Sequence, residues 1–324
     1  MKRQSLLPVL ASLTLVLAAC TSSGSLGTIP PAEATPEPSL GSQPPDNTPA
    51  PPSPSEVPSA PAPTGTPVAT PAPSQDGTSI VRAYFILGGE PGSEGLVPYL
   101  FEVPKTPAVA TAAMNALLSF GGVTRDGYQP ITSAIPSGTK LLGLTIKAGV
   151  ATVDLSGEFA AGGGSASSKY RLAQVVYTLT QFSTVDSVVF RVDGSVVTVF
   201  GSEGIVLDGP QARVDYEDQL PAIFVDRPAF GAALGNPGTV TGNAQVFEAT
   251  FRLTLLDGQG RILADETTMA TCGTGCVPRG TFEQTLSYNV SKAGWGTLRA
   301  WAGSAKDGSA ILIREYPVWL APAK

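Results

Sequence analysis

Two acidic side chains near the middle of the chain stand where they could take part in chemistry. Asp154 and Glu158 bracket Leu-Ser-Gly at the end of an apolar segment, shortly before three consecutive glycines. Paired carboxylates at the end of a strand can serve as acid and base in glycoside hydrolysis, or can bind a hard cation together with backbone oxygens. Alternatively, they are turn and cap residues, because loops are commonly acidic and rich in glycine. We expect the turn and cap role.

Nucleophilic and metal chemistry have little support in the sequence. The chain contains no histidine, which removes the commonest general base and the commonest metal ligand. Ser156, Ser167 and Ser168 lack the Gly-x-Ser-x-Gly turn that exposes a nucleophilic serine, and no spacing favours a serine–lysine pair. The glycines at 162–164 lack the strand–GxGxxG–helix context of a phosphate-binding loop. We therefore predict no enzyme activity, no metal and no cofactor.

The N-terminus has the layout of a bacterial secretory signal. The basic pair Lys2-Arg3 is followed by apolar residues 6–17 and by two alanines before Cys20. The apolar run is too short for a comfortable membrane span. The Leu-Ala-Ala-Cys sequence resembles the bacterial lipobox; the alternative is an ordinary signal with a chance cysteine. We expect cleavage of residues 1–19 and a diacylglyceryl group on Cys20, whose two acyl chains would anchor the protein stably.

The other two cysteines lie close together. Cys272 and Cys276 form Cys-Gly-Thr-Gly-Cys, and they are the only thiols left once Cys20 carries lipid. An even number of thiols in an oxidising compartment favours a disulfide, and the glycines permit the tight loop that it needs. A metal site would need two more ligands, which no histidine can supply. We predict a Cys272–Cys276 disulfide.

Three tryptophans, Trp295, Trp301 and Trp319, stand near the C-terminus. If they are exposed, they could form a platform on which sugar rings stack. If they are buried, they fill a core or pack at its edge, because large aromatic side chains dominate small cores. We expect the packing role.

The charge of the chain excludes some partners. The formal net charge is −6, and loss of Lys2 and Arg3 with the signal makes it two units more negative. An acidic protein with few basic residues is unsuited to nucleic acid and to anionic lipid headgroups. The membrane anchor must then be the lipid itself.

Residues 20–78 are predicted to be a disordered, proline-rich linker. Residues 21–78 contain no aromatic residue, no lysine and no arginine. Such a segment cannot bury enough apolar surface to offset the entropy of ordering. With a polyproline II bias it would reach roughly 180 Å when fully extended. We interpret it as a stalk that holds the folded part away from the membrane.

Residues 79–205 are predicted to form an α/β domain in which two helices pack on a sheet. Residues 80–87 are β-branched and aromatic, as in a strand, and a second strand is expected after them. Apolar residues at helical spacing predict a helix capped by Thr106 and another capped by Ser168. Further strands are predicted at 142–146, 150–155, 188–192 and 195–200.

From residue 221 the helical periodicity disappears. Between Phe247 and Leu255 apolar and polar residues alternate, as in a half-buried strand. About seven short strands in roughly a hundred residues predict an immunoglobulin-like β-sandwich over residues 218–322. Residues 201–220 resemble a connector, so we expect two domains with separate cores and an α/β domain that folds without residues 221–324. The fold class is therefore α+β.

Short stretches of both domains resemble known families. The first domain resembles the GerMN family of bacterial envelope lipoproteins, in the stretches SAIPSGTK (133–140), GVATVDLS (149–156), YTLTQF (177–182) and VVFRVDG (188–194). The second resembles the immunoglobulin-like Gmad2 family, in VTGNAQVFEA (240–249), GTF (280–282) and KDGS (306–309). The resemblance implies a non-catalytic envelope protein, and it makes self-association conceivable. It does not imply sporulation, because such pairs also occur outside spore formers.

We therefore expect a lipid-anchored protein on the extracytoplasmic face of a bacterial membrane that binds envelope proteins or the cell wall and no nucleic acid. By resemblance, its role would be linked to sporulation, germination or wall processes. One alternative is a cell-wall hydrolase that uses Asp154 and Glu158. Another is a solute-binding lipoprotein of a transporter, although such proteins usually have two similar α/β lobes.

The lipid anchor can be tested directly. Cys20→Ser should block lipidation and processing, because the thiol is the acceptor of the diacylglyceryl group. Mass spectrometry of the mature N-terminus should find lipidated Cys20 in the wild type and an uncleaved or rerouted protein in the variant. A free mature N-terminus at another residue would refute the anchor.

Overall fold

The computed structural model describes residues 77–272 and 278–323. The predicted signal peptide, Cys20, all but the last two residues of the predicted linker, and Cys276 lie outside the described residues. Within the part that is described, no helix has both the length and the apolar character needed to cross a membrane.

The first half of the described chain combines strands with two helices. Its strands are β1 (Thr78–Leu87), β2 (Gly95–Pro104), β3 (Ile131–Thr132), β4 (Leu141–Lys147), β5 (Val150–Leu155), β6 (Ser187–Val192), β7 (Ser195–Val196), β8 (Val199–Phe200) and β9 (Ile205–Val206), and its helices are α1 (Val109–Leu118) and α2 (Ser165–Leu179). The sheets have the orders β2-β1-β3, β4-β5-β6-β7 and β8-β9. β5 and β6 are parallel, and α2 makes the crossover that parallel neighbours require.

Polar side chains of α2 complete the hydrogen bonding of β1. β3 pairs only with the C-terminal end of β1. Nearer the start of β1, side chains from α2 and the residues after it make hydrogen bonds to the free edge. Gln174 Nε2 donates to the Tyr84 carbonyl (3.0 Å), and the Thr178 hydroxyl accepts the Tyr84 N–H (3.1 Å). Gln181, two residues after the helix, accepts the Arg82 N–H. These side chains therefore satisfy backbone groups that would otherwise be buried without partners.

Both helices begin at residues other than those predicted. α1 starts at Val109, and the Thr106 hydroxyl accepts the N–H of Ala108 just ahead of it. α2 starts at Ser165 after an extended Gly164, so Ser168 lies within the helix and is fully buried. Because small residues fill the first turn of α2, the apolar stripe does not define where the helix begins.

The second half is a β-sandwich with all seven predicted strands. They are β10 (Ile223–Arg227), β11 (Gly238–Ala244), β12 (Thr250–Leu256), β13 (Ile262–Met269), β14 (Gly280–Leu286), β15 (Gly294–Gly303) and β16 (Ala310–Leu320). Antiparallel pairing gives a three-stranded sheet, β10-β11-β14, and a four-stranded sheet, β13-β12-β15-β16. Phe251 and Phe282, one from each sheet, meet at 4.8 Å between ring centroids. The α+β fold class is confirmed.

The alternation before β12 fails at Phe247. This side chain is 75% exposed, whereas the pattern places it in the core. Glu248 and Ala249 both have left-handed backbone conformations, with φ of 54° and 56°. The two residues interrupt the extended chain, so β12 starts only at Thr250 and Phe247 points to solvent.

The two halves share one continuous core, and the expectation of separate cores is wrong. Tyr84 on β1 and Tyr177 on α2 both pack against Phe224 of the sandwich, with ring centroids at 6.4 and 6.3 Å. All three rings are buried. A fragment that ended at residue 220 would expose this aromatic surface to water. We therefore no longer expect the α/β half to fold stably without residues 221–324.

A buried arginine from β16 crosses the interface between the α/β half and the sandwich, which we call the joint. Arg314 is only 3% exposed, and its guanidinium donates to the carbonyls of Ser93, Gly95 (3.1 Å) and Leu96 (2.8 Å). Its Nε donates to the hydroxyl of Tyr316 (2.8 Å). The carbonyls lie where the chain enters β2. One side chain therefore holds the end of the sandwich on the α/β half.

A partly buried carboxylate strengthens the same joint. Asp226 on β10 accepts a hydrogen bond from the Tyr84 hydroxyl (2.7 Å) and forms an ion pair with Arg82 (2.9 Å). Arg213, from the segment between the halves, lies over the rings of Tyr84 and Tyr177 at 5.4 and 4.6 Å. The segment predicted to be a connector is thus part of the packed interface.

Because Arg314 is buried in the joint and Arg299 is not, we expect their substitution to lower the free energy of unfolding by very different amounts. Arg314→Met should lower the free energy of unfolding by about 3 kcal/mol or more, because buried carbonyls lose their donor. Arg299→Met is the matched control. Arg299 pairs with Glu315 in a partly exposed position, so its loss should cost about 1 kcal/mol or less. Urea unfolding of the soluble mature chain measures both, and equal losses would contradict the role of Arg314.

Candidate functional site

The two candidate catalytic carboxylates serve turns. Asp154 Oδ1 accepts the N–H of Gly194 (3.0 Å) and so joins the end of β5 to the β6–β7 turn. Glu158 is exposed in a short 3₁₀ helix, Gly157–Ala160. A hydrogen bond from the Ser156 hydroxyl lowers the pKa of Glu158, whereas a general acid needs a raised pKa. These contacts fit the turn and cap role that the sequence favours.

The glycine-rich loop encloses an arginine of the protein itself. Arg171 of α2 is buried, and it donates to the carbonyls of Phe159 (3.1 Å), Ala161 (2.9 Å) and Gly162 (2.6 Å). Burial lowers the pKa of Arg171. A Cβ at Gly163 would collide with the guanidinium, which explains the glycine there. The loop is therefore built around a cation, and the sequence pattern does not reveal this.

The cysteine and metal predictions are tested only in part. Cys272 is disulfide-bonded. Cys276 lies outside the described residues, so the pairing stays a prediction. Gly280 packs against Cys272, because a Cβ there would lie 2.6 Å from the sulfur. Among residues 77–272 and 278–323, no group of three or more Cys, Asp or Glu side chains could hold a metal ion.

The three tryptophans lie on the outer face of the four-stranded sheet. In β15 the buried residues Leu298, Ala300 and Ala302 face the sandwich core, and Trp295 and Trp301 alternate with them and are partly exposed. The tryptophans therefore do not fill the sandwich core, and only the edge-packing form of the expectation remains. Trp295 and Trp319 are paired residues of β15 and β16 and pack edge to face at 5.1 Å.

A loop of the α/β half covers one end of this outer face. The Arg125 guanidinium lies 3.7 Å above the Trp295 ring. The hydroxyls of Tyr128 and Thr297 are 2.6 Å apart and share a hydrogen bond. Trp295 is thereby used in the joint between the halves. Among the described residues, no hydrogen bond or cation–π contact joins Arg125 or Tyr128 to Trp301, farther along β15.

The loops at one end of the sandwich line an open pocket of about 610 Å³. Its lining includes the apolar residues Leu263, Val290 and Leu320 and the charged residues Arg261 and Lys292. Arg261 is tied to Asp257, whose pKa is lowered first by the backbone N–H of Arg261. The lining residues come from loops that are separated in the sequence, so no local pattern identifies this pocket.

Comparisons with known proteins agree with the fold. Residues 82–198 match the family model Germane, described as sporulation and spore germination. Residues 222–309 match Gmad2, described as an immunoglobulin-like domain of bacterial spore germination. The matches confirm the resemblance seen in the sequence: the chain has a GerMN domain followed by a Gmad2 domain. No curated protein matches the chain.

Two solved structures of one protein are also similar. The first GerMN domain of the sporulation protein GerM from Bacillus subtilis is 25% identical, with a TM-score of 0.35 over 42% of this chain and 99% of that one. The tandem GerMN domains of the same protein are 19% identical, with a TM-score of 0.37 over 65% of this chain and 61% of that one.

The disulfide predicts a specific pattern of thiol reactivity. Alkylation of freshly purified exported protein without reductant should leave Cys272 and Cys276 unmodified, and alkylation after reduction should modify both. Peptide mass spectrometry should find the two residues linked. Closing so short a loop stabilises the fold by only about 2 kcal/mol, so the reduced protein should still fold. Free thiols at both positions in the untreated protein would contradict the pairing.

Proposed function

We propose that this chain, in which a GerMN domain precedes a Gmad2 domain, is an extracytoplasmic envelope protein that acts by binding and is anchored through lipid on Cys20. Both domain models are described by processes of sporulation and germination, and neither is described as an enzyme. The sequence supports the anchor through its lipobox, and it supports a stalk through residues 20–78. The partners in this proposal are envelope proteins or the cell wall.

The observation that carries the proposal is the joint between the halves. A solute-binding lipoprotein closes two lobes around its ligand, which needs a hinge between them. Here Arg314 joins the halves with buried hydrogen bonds, Asp226 adds a partly buried one, and a shared aromatic core lies beside them. Bending at this joint would leave buried polar groups without partners. A rigid head that presents fixed surfaces suits a binding or scaffolding module.

The hydrolase alternative has no comparable support. Asp154 holds a turn, and the Ser156 hydroxyl lowers the pKa of Glu158, which is the opposite of the shift that a general acid needs. Self-association remains part of the proposal through the resemblance alone. A role in germination would apply only if the host forms spores.

Binding without hydrolysis can be measured on a soluble mature chain that carries Cys20→Ser. This protein should co-sediment with purified insoluble cell wall, or crosslink to envelope proteins in intact cells, and release no soluble wall fragments. Asp154→Asn and Glu158→Gln should behave like the parent protein. If either substitution abolishes a measurable hydrolysis without unfolding the protein, the binding-only function is wrong.

A further inference from the structure

The indole of Trp301 is held across the outer surface of the four-stranded sheet. Trp301 on β15 lies opposite Arg252 of β12, and its Nε1 donates to the hydroxyl of Thr254, two residues farther along β12 (2.9 Å). The ring must therefore extend sideways over β12. The side chain is partly exposed, and the Arg252 guanidinium lies over the ring, 5.7 Å from its centroid.

The strand beside Trp301 contains a bulge. The pairing of β15 with β16 shifts at this point, because Ala300 pairs with Arg314 but Ala302 pairs with Ile311. Leu312, within the bulge, has a φ of 54°, which is a strained conformation for a bulky residue. Bulges re-aim side chains and are frequent beside functional sites. Because of the bulge, no residue of β16 is paired directly with Trp301.

Two ion pairs lie on the same outer face of the sheet as the ring. Arg252 pairs with Asp265 of β13, and Arg299 pairs with Glu315 of β16 at 2.7 Å. The hydrogen bond from Arg252 lowers the pKa of Asp265. Each guanidinium is thus held in place by a carboxylate. Each pair still has N–H donors and oxygen lone pairs that are not used, because arginine offers five N–H groups and a carboxylate about four acceptor positions.

The net charge of the residues around Trp301 indicates which class of ligand this face can bind. The two arginines and two carboxylates beside Trp301 cancel, Arg125 at the far end of the face adds one positive charge, and the chain as a whole is acidic. A polyanion or an anionic lipid surface would find no net attraction. A neutral polyhydroxylated chain fits better, because its sugar rings can stack on the indole and its hydroxyls can bond to the flanking guanidinium and carboxylate groups.

We propose that the outer face around Trp301, with Arg252, Asp265, Arg299 and Glu315, binds a neutral glycan chain such as the sugar backbone of the cell wall. This inference rests on the proposed function and names the ligand class for it. Trp301 supplies the stacking platform. The two ion pairs supply oriented hydrogen bonds, and Thr254 fixes the ring.

The test uses the soluble mature chain and a hexamer of N-acetylglucosamine as the neutral probe, with titration calorimetry as the readout. The wild type should bind the hexamer, and Trp301→Ala should weaken binding at least tenfold. Thr254→Val should weaken binding less, since the ring remains but loses its hydrogen bond. Phe247→Ala is the matched control, because it removes a highly exposed aromatic ring elsewhere on the sandwich and should leave binding unchanged.

Two outcomes overturn the inference. One is no hexamer binding by the wild type up to millimolar concentrations. The other is equal loss for Trp301→Ala and Phe247→Ala. Co-sedimentation with insoluble wall, run in parallel, separates the two proposals. If wall binding persists while Trp301→Ala changes nothing, the glycan surface is wrong and the binding function stands; if the wild type binds neither wall nor any envelope protein, both are wrong.

Discussion

The structure depends on a buried cation that is held by backbone carbonyls. The guanidinium of Arg314 donates to the carbonyls of Ser93, Gly95 and Leu96, and among the described residues no carboxylate pairs with it. Removing such a group from water is costly unless each of its hydrogen bonds is replaced. The requirement is reciprocal, because the carbonyls at the entrance of β2 also need donors. Neither half can move away from the other without leaving these groups buried and unsatisfied.

The same stretch of β16 serves the joint and the outer face. Alternation along the strand directs Arg314 and Tyr316 inwards and Glu315 outwards. The bulge at Leu312 brings the Leu312 side chain against Gly92 of the α/β half. It also shifts the pairing beside Trp301. The strain at Leu312 is therefore compensated by contacts of the joint, and the surface around Trp301 takes its shape from the way the two halves meet.

The sequence predicts elements better than it predicts contacts between them. Strand alternation and turn residues locate all seven strands of the sandwich, because each signal is local. Arg314 resembles an ordinary solvent-facing arginine in the sequence, since its acceptors are backbone carbonyls more than two hundred residues away. The prediction for Phe247 is wrong because neither Glu248 nor Ala249 is a residue type that indicates a left-handed conformation. The roles of Asp154 and Glu158 were predictable, because turn chemistry is local as well.

The predicted stalk and the rigid head would change the affinity that the proposed glycan site needs. A single aromatic platform with a few hydrogen bonds binds a glycan weakly, because a flat surface buries little of its ligand. A protein anchored at the membrane beside a wall meets the same polymer repeatedly, however, and confinement raises the effective concentration as a linker does. The predicted stalk supplies reach, and the locked joint keeps the face in a fixed orientation on the head. Weak sites on a confined, rigid module can therefore hold a polymer that the free module would bind only transiently.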